Sequence, residues 1–408
     1  MPAWAAALVA GMTVVLASAC AGPLRSELPT SADRIVVGPE IVIAARPNDE
    51  EEDPVPSWDG ERYLAVWQTT RSGPTDIYGV WVSPDGTVTE QTGLPISNGP
   101  SDELFPDVEW GGDSHLVVWQ DLRSHRNWEI YGNRVTRAGV VRDRQDIAIG
   151  AGAGNRRHPR VAWGDGVFLV VWMGERPGSG WDVVATRVGP DGAVLDPGGI
   201  TVGTGPGDQT RPSVVWNGEA FVVVWMDGRN GESDIAAARV DPGGRLLDPE
   251  PIVVSRAPGE QSYPAVASRH GEAAVVWVDR RGTGPFALYG ARLAADGRVL
   301  DPEGVPLSTT PRLHMFPAIA CGERECLVLW EEEHESAAPM TRITDVVRDV
   351  RALAWEPSRA GRPFAVAPDA LGNHFTAVAT DGRRYLVVWK DYRSGLAGGF
   401  GRFVDPLR

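Results

Sequence analysis

Seven positions with chemically useful side chains recur at nearly equal intervals along this 408-residue sequence. Each directly precedes a proline, or in the last case a threonine, and the side chain changes from copy to copy. The seven residues are Asp53, Phe105, His158, Arg211, Tyr263, Phe316 and Phe375. Aromatic faces can stack on sugar rings or apolar groups, and Arg211 and a protonatable His158 can orient an anionic group. We therefore predict a ligand-binding role for Phe105, His158, Arg211, Tyr263, Phe316 and Phe375, the alternative being a position fixed by backbone geometry alone.

A second polar motif, Trp-x-Asp-x-Arg, is intact in four places. Its pairs are Asp121/Arg123, Asp227/Arg229, Asp279/Arg281 and Asp391/Arg393. An aspartate that accepts loop N–H groups and is braced by a guanidinium satisfies the backbone of a tight loop. We expect these pairs to stabilise the scaffold rather than to contact a ligand. The same role is expected for four arginines farther along the copies, Arg134, Arg187, Arg239 and Arg292.

Both motifs belong to a repeat that is centred on a tryptophan. The tryptophans are Trp67, Trp119, Trp172, Trp225, Trp277, Trp330 and Trp389, with successive spacings of 52, 53, 53, 52, 53 and 59 residues. A repeat of this period indicates one closed or stacked array rather than several unrelated domains. The sixth copy is longer than its neighbours, with the acidic run 331–335 after its tryptophan. That insertion is either a functional loop or a solvated one.

The fourth copy shows the strands of one repeat. Residues 212–216 and 221–225 are apolar runs joined by the turn Asn217-Gly218, and 234–240 and 246–254 supply two further strands. Four antiparallel strands per copy are typical of a β-propeller blade. We therefore predict an all-β, seven-bladed propeller in which the motif loop and the pre-proline positions share the face at the channel mouth.

The two ends of the sequence complement each other. The last copy stops after its third strand, 399–404, and residues 34–43 match the pattern of the missing fourth strand. Pairing of this segment with the last copy would close the ring and leave no open edge. A solenoid of stacked repeats would not need such pairing. We assign residues 34–408 to one propeller domain.

The cysteines of the sixth copy stand where other copies have facing aromatic residues. Cys321 and Cys326 correspond to Trp216 and Phe221 in the fourth copy. The sequence therefore predicts a cross-strand disulfide, which agrees with export to an oxidising compartment. No second pair of ligands has metal-site spacing, and we expect neither a metal nor a cofactor.

The amino-terminal segment indicates export. Residues 1–19 are nearly all apolar or small and end in Leu-Ala-Ser-Ala before Cys20, a run that resembles the lipobox of bacterial lipoproteins. The resemblance implies lipidation of Cys20 and a membrane-tethered protein of the cell envelope, with 20–33 as a polar tether. A secreted protein with a plain signal peptide and an uncleaved anchor helix are the alternatives.

The charge of the chain disfavours two classes of partner. The formal net charge is −15 and Lys390 is the single lysine. Nucleic acid and anionic bilayers have no electrostatic reason to bind such a surface. We expect a monomer whose contact with the membrane is the lipid anchor alone.

The repeat is similar to that of a group of uncharacterised bacterial proteins. Val-Val-Trp-x-Asp-x-Arg followed by Glu129-Ile130-Tyr131-Gly132-Asn133-Arg134-Val135 resembles the repeats of secreted and lipoprotein β-propellers, over about residues 35 to 408. The resemblance implies the fold and export, and no activity comes with it.

The expected function is binding rather than catalysis. We expect a non-enzymatic, surface-tethered propeller that binds a glycan, peptide or protein at the channel mouth. One alternative is a hydrolase acting on extracellular glycans through a pair of carboxylates, for which Asp53, Glu103 and Glu332 are candidates. Another is a scaffold of envelope assembly that binds proteins along the blade edges.

Overall fold

A computed structural model describes residues 35–406, except for 47, 72, 177–179, 282–285, 334–346, 357–358 and 372–374. Within this part of the chain the regular structure is antiparallel β-sheet, divided into seven sheets. The predicted signal segment 1–19, the tether 20–33 and Cys20 lie outside the described residues. In the described ranges no helix is long and apolar enough to cross a membrane.

Each sheet is a blade with its first strand at the hub. The first blade consists of β2 (Glu51–Trp58), β3 (Tyr63–Thr69), β4 (Asp76–Val82) and β5 (Val88–Ser97). The second consists of β6 (Glu103–Trp110), β7 (Ser114–Asp121), β8 (Glu129–Thr136) and β9 (Ile147–Gly150). The third consists of β10 (Arg156–Gly164), β11 (Val167–Glu175), β12 (Trp181–Val188) and β13 (Ile200–Gly203). The fourth consists of β14 (Gln209–Trp216), β15 (Phe221–Asp227), β16 (Asp234–Val240) and β17 (Ile252–Ser255).

The remaining blades follow the same order with two variations. The fifth consists of β18 (Gln261–Arg269), β19 (Glu272–Asp279), β20 (Ala287–Leu293) and β21 (Val305–Ser308). The sixth consists of β22 (His314–Cys321), β23 (Cys326–Glu333), β24 (Val347–Glu356) and β26 (Phe364–Leu371), with β25 (Arg359–Ala360) also paired to β24. The seventh consists of β27 (Ala377–Thr380), β28 (Tyr385–Asp391), β29 (Gly398–Pro406) and β1 (Ile35–Ala44).

The hub strands form a closed ring. Each contacts the hub strands of both neighbouring blades, and β2 of the first blade contacts β27 of the seventh. The prediction of a seven-bladed propeller is confirmed. The closing strand is confirmed as well, since β1 pairs antiparallel with β29 from Ile35 opposite Pro406 to Ala44 opposite Gly399.

Blades pack face to face, so their second strands are buried on both faces. In β15, for example, Phe221, Val222, Val223, Val224 and Trp225 are all at most 1% exposed. Phe221, Val223 and Trp225 pack against the third blade, whereas Val222 and Val224 pack against the fifth. The repeated tryptophans are at most 3% exposed, which makes them core residues of the blades.

Arginines on the third strands of blades two, three and four link each of these blades to the next one. Arg187 donates to both carboxylate oxygens of Asp196, at 2.9 and 2.8 Å, and to the carbonyl of Pro242 in the following blade at 3.0 Å. Arg134 and Arg239 make the same set of bonds in their blades. Their predicted role in the scaffold is confirmed.

The Trp-x-Asp-x-Arg loops are also structural. Asp279 accepts the Arg281 backbone N–H at 2.8 Å, its side chain binds the guanidinium, and it accepts the Trp277 indole N–H at 2.9 Å. One carboxylate thus holds the loop and orients the core tryptophan.

The outer strands and the sixth blade differ from the sequence interpretation in detail. Residues 246–254 do not form one strand: Leu246 makes an isolated bridge with Val240, the chain then bends, and only Ile252–Ser255 pairs as a strand. Of the acidic run 331–335, Glu331 to Glu333 end β23, and the rest of the insertion lies outside the described residues. The predicted Cys321–Cys326 disulfide is present across the first hairpin of this blade.

The closing strand offers a matched pair of variants. Ile43 is 2% exposed within the core shared by the first and seventh blades, whereas its neighbour Val42 is 53% exposed. Ile43→Ala should lower the free energy of unfolding by about 2–5 kcal/mol, and Val42→Ala should change it by no more than about 0.5 kcal/mol. Denaturant unfolding measures both. Equal effects would contradict the role of β1 in closing the ring.

Candidate functional site

The seven pre-proline residues meet around the mouth of the central channel. They line one cavity of about 320 Å³ together with the residues that follow them on the hub strands. All seven have a positive φ, between 39° and 54°. Such values are uncommon for residues other than glycine and cost about 1–3 kcal/mol each, and they concentrate at functional sites. The sequence rule for a residue before proline favours extended backbone instead and did not predict this.

A β-bulge explains the conformation. In the fourth blade the hub strand pairs through Thr210 with Met226 and then through Ser213 with Val224, so Arg211 and Pro212 together oppose Trp225. The same register shift opposite the core tryptophan occurs in blades one to six. Because the bulge removes two residues from the ladder, a proline is tolerated there.

The N–H freed by the bulge finds a partner in the preceding blade. The Phe105 N–H donates to Gln68 Oε1 at 2.7 Å, and the His158 N–H donates to Gln120 Oε1 at 3.1 Å. Both glutamines directly follow a core tryptophan. In the seventh blade this position is Lys390, whose Nζ lies 3.2 Å from Asp53 Oδ1 and 3.1 Å from Glu52 Oε1. The residue after each of these three tryptophans thus supports the next pre-proline residue.

Neighbouring side chains of the ring are in contact. Ring centroids are separated by 4.6 Å between Phe105 and His158, and by 4.9 Å in the Tyr263–Phe316 and Phe316–Phe375 pairs. Lys390 Nζ lies 5.1 Å from the Phe375 ring centre and completes the connection to Asp53. The residues predicted as a ligand site are therefore brought together in space. Their binding role remains a prediction.

The cavity has one charged wall and one apolar wall. Beyond the ring, the hub strands of the second and third blades contribute Asp107, Glu109 and Arg160. The hub strands of the fifth to seventh blades contribute Ala265, Ala318 and Ala377 at the position equivalent to Asp107, below the aromatic residues of the ring. A carbohydrate presents both hydroxyl groups and apolar C–H faces, so this division suits one.

Two carboxyl groups of β6 stand out in the charged wall. Asp107 Oδ2 accepts the Val161 N–H at 2.8 Å, and Asp107 Oδ1 lies 3.7 Å from Arg160 Nη1. Burial raises the pKa of Asp107, although Arg160 and the N–H group oppose the rise. Burial raises the pKa of Glu109 to about 8, and the charge of Asp107 adds to that rise. At neutral pH Glu109 is therefore the proton donor of the pair.

The other titratable groups at the channel mouth are a charged cluster, formed by Asp53, Glu52 and Lys390, and a neutral histidine. Burial raises the pKa of Asp53, while Asp53 and Glu52 outweigh burial and raise the pKa of Lys390 above its usual range. Burial, followed by the charges of Arg211 and Arg160, lowers the pKa of His158 to about 3. At physiological pH this imidazole is therefore neutral, so His158 would orient an anion through an N–H rather than through a positive charge.

Two of the three carboxylates that the sequence offered as catalytic candidates lie outside the channel cavity. Glu103 is buried between blades, where it accepts from Ser97 and the Gly99 N–H. Glu332 binds Arg312 and Thr310 in the sixth blade. Only Asp53 belongs to the cavity.

Sequence reasoning missed Asp107 and Glu109, although the repeat carried a signal for both. At the position of Asp107 the other blades have Val55, Arg160, Ser213, Ala265, Ala318 and Ala377. At that of Glu109 they have Ser57, Ala162, Val215, Ala267, Ala320 and Ala379. Only the second blade has a carboxyl group at both positions, and an alignment of the seven repeats reveals this difference.

Comparisons with known proteins show the fold. No protein-family model matches the sequence, and no curated protein matches it. An α-L-arabinofuranosidase from Fusarium graminearum, in complex with an iminosugar inhibitor, is 12% identical over 76% of this chain and 94% of that one, with a TM-score of 0.52. An α-L-arabinofuranosidase from Lactobacillus brevis is 14% identical over 64% and 93%, with a TM-score of 0.40.

A peptidase also shares the propeller. The acylaminoacyl peptidase of Pyrococcus horikoshii is 11% identical over 86% of this chain, with a TM-score of 0.48, and this chain spans 52% of its length. At such identities the likeness extends to the fold alone. The fold class is a seven-bladed β-propeller with neighbours among the glycoside hydrolases.

These comparisons contradict the expectation that the chain is a non-enzymatic binder. The Fusarium protein, whose fold this chain shares over most of both chains, is a glycosidase. The alternative drawn from the sequence, a hydrolase acting on glycans, is compatible with this fold. Two carboxyl groups, Asp107 and Glu109, line the channel.

The pKa of Glu109 predicts how stability depends on pH. Its carboxyl has an ordinary pKa of 4.5 in the unfolded chain and about 8 in the folded protein. Between these values the folded state holds a proton that the unfolded state has lost, so stability falls as pH rises across that window. Glu109→Gln should remove this contribution, and its stability relative to the parent should increase from pH 5 to 8 and then stay constant. Thermal unfolding over pH 4–9 measures this, and parallel curves would contradict the assignment.

Proposed function

We propose that the protein is a glycan-acting hydrolase whose substrate enters the channel mouth. The observation that carries this proposal is the pair Asp107 and Glu109, set two residues apart on β6 and facing an aromatic rim across a small cavity. Glycoside hydrolases use two carboxyl groups, one protonated and one ionised, on either side of the scissile bond. Alternation along a strand places the two side chains on one face, with Cα atoms about 6.5 Å apart.

The environments of the two groups assign their roles. Glu109 keeps its proton at neutral pH and is the general acid that protonates the leaving oxygen. Asp107 is the more readily ionised of the two, because Arg160 and the Val161 N–H stabilise its charge. It acts on the anomeric carbon, directly or through a water molecule. Arg160 holds Asp107 in position and does not itself transfer a proton.

The aromatic rim supplies the binding surface. Tyr263, Phe316 and Phe375 form a continuous series of rings on the wall opposite the acids. Sugar rings pack their C–H faces on such side chains, and this orients the glycosidic bond toward the charged wall. The predicted ligand residues thus become substrate-binding residues. The arabinofuranosidase of the same fold makes arabinan a sensible first substrate to test.

We further propose that the protein acts outside the cytoplasm as a bacterial envelope lipoprotein. The apolar segment 1–19, the lipobox-like residues before Cys20 and the Cys321–Cys326 disulfide support this location. Cell-wall polysaccharides lie outside the cytoplasm, which agrees with the proposed activity. Cys20→Ser should move the protein from the membrane fraction to the soluble fraction. Unchanged fractionation would contradict lipidation.

Hydrolysis of a polysaccharide panel tests the proposed activity. Arabinan, xylan, galactan and polygalacturonate are incubated with the parent protein, Asp107→Asn and Glu109→Gln. Loss of either carboxyl group should reduce the release of reducing ends by about 10²- to 10⁴-fold. Activity of the parent should also fall as pH rises through about 8, where Glu109 loses its proton.

Two variants outside the channel serve as controls. Asp85→Asn and Glu219→Gln make the same chemical changes at exposed positions and should leave hydrolysis unchanged. Thermal unfolding of all four variants separates lost chemistry from lost structure. Equal activity of Glu109→Gln and the parent, or no cleavage of any of these glycans, would contradict the proposal.

A further inference from the structure

Arg211 differs from the other arginine of the channel in its partners. Arg160 lies 3.7 Å from Asp107, and the arginines of the third strands each hold a carboxylate through paired hydrogen bonds. Among the described residues no carboxylate lies within ion-pair distance of Arg211. Its guanidinium instead lies 3.5 Å from His158 Nδ1 and 5.4 Å from the centre of the Tyr263 ring.

The neighbours of Arg211 do not neutralise its charge. A guanidinium can only donate, so His158 Nδ1 accepts and the imidazole proton resides on Nε2. Tyr263 contributes the face of its ring, and Arg160 adds a second positive charge to this side of the cavity. Burial lowers the pKa of Arg211, Tyr263 opposes this effect and Arg160 adds to it. A partly buried cation without a counter-ion is unfavourable unless a ligand supplies the negative charge.

Arg211 is a local positive charge in a protein that is otherwise acidic. The chain has a net charge of −15, and the carboxyl groups Asp53, Asp107 and Glu109 lie on the first and second blades of the same cavity. On that wall Asp53 is paired with Lys390 and Asp107 with Arg160, and Glu109 keeps its proton. An anion in the cavity is therefore attracted to the Arg211 side, on the fourth blade. The planar guanidinium matches a carboxylate through two parallel hydrogen bonds, and the adjacent Tyr263 face can stack on a sugar ring.

We infer that Arg211 binds the carboxylate of an acidic sugar, so that the substrate is a glycan containing uronic acid. The inference rests on the proposed hydrolase function and specifies its substrate class. In a uronate the carboxylate is attached to C5 and the scissile bond to C1, at opposite sides of the ring oxygen. A carboxylate anchored on the fourth blade thus directs C1 toward the acids of the second blade.

Binding of two matched sugars tests the inference without requiring catalysis. D-Galacturonate and D-galactose differ only in the carboxylate at C6, and their affinities for the full-length protein are measured by NMR titration. The parent should bind galacturonate at least about tenfold more tightly, as expected for a charge-assisted pair of hydrogen bonds. Arg211→Gln should bind the two sugars with similar affinity. Arg211→Lys should retain part of the preference, because it keeps the charge and loses the two-pronged geometry.

The control variant lies in the same blade. Arg245 is 77% exposed and pairs with Asp241 at 3.0 Å, outside the channel, so Arg245→Gln should keep the full preference. Thermal unfolding checks that each variant is folded. If Arg211→Gln does not fold, the comparison of Arg211→Lys with the parent still tests the inference. Equal affinity of the parent for both sugars, or an unchanged preference in Arg211→Gln, would overturn the inference.

Other outcomes separate this inference from the proposed function. Inorganic sulfate that binds as tightly as galacturonate and is lost in Arg211→Gln would show a site for free anions and contradict the sugar assignment. Cleavage of neutral arabinan without any preference for galacturonate would retain the hydrolase and exclude the acidic subsite. Selective binding of galacturonate in a protein that cleaves none of the glycans would retain the subsite and exclude hydrolysis.

Discussion

The site depends on a bulge that the hub strands of blades one to six make opposite the buried tryptophan of their blade. Arg211 and Pro212 together face Trp225, and the same two-against-one register recurs in blades one to six. The tryptophan fixes the bulge because its side chain is fully packed between blades and cannot move aside. The bulge gives the pre-proline residue its positive φ, and this backbone conformation sets the course of the hub strand at the channel mouth. The proline has no N–H to donate, and the ladder resumes at the residue after it, with Ser213 opposite Val224 in the fourth blade.

This arrangement separates the chemistry of the site from the stability of the scaffold. The packing of the tryptophan recurs in every copy, whereas the Asp–Arg loop recurs in four copies and the Arg187-type link between blades in three, and each satisfies a local structural need. The side chain at the bulge contributes little to those interactions and is free to differ between blades. Seven independent positions can thus form a wall with acids and cations on one side and aromatic rings on the other. A single repeated unit, by contrast, would give a channel of uniform character.

Much of the fold follows from the sequence because it is specified by a period and by patterns within one copy. The seven tryptophans, the match of residues 34–43 to a fourth strand, and the facing positions of Cys321 and Cys326 are all local signals. The gathering of the pre-proline residues also follows, since equivalent positions of a ring must meet at its axis. The outer strand was predicted too long because the two apolar ends of residues 246–254 were joined across Asp248-Pro249-Glu250-Pro251, where the chain bends.

The chemistry of the site was less accessible, because it depends on surroundings that one copy does not contain. His158 is neutral owing to burial, to Arg211 of the next blade and to Arg160 of its own strand, and neither the burial nor the approach of Arg211 can be read from one copy. Asp107 and Glu109 were overlooked because the register after the bulge decides which residues face the cavity. Because that pair was overlooked, the sequence favoured a binding protein over an enzyme. Glu103 and Glu332 were considered as catalytic acids instead, and both make structural contacts.

The central claim is that a glycan occupies the channel mouth between the aromatic rim and the β6 carboxyl groups. A crystal structure of Glu109→Gln with a bound oligosaccharide tests this most directly, since the substitution preserves shape while blocking turnover. The account predicts a sugar ring stacked on Tyr263 or Phe316, with its anomeric carbon toward Asp107. An oligosaccharide bound at the blade edges, with the channel free of sugar at saturating concentration, would contradict it.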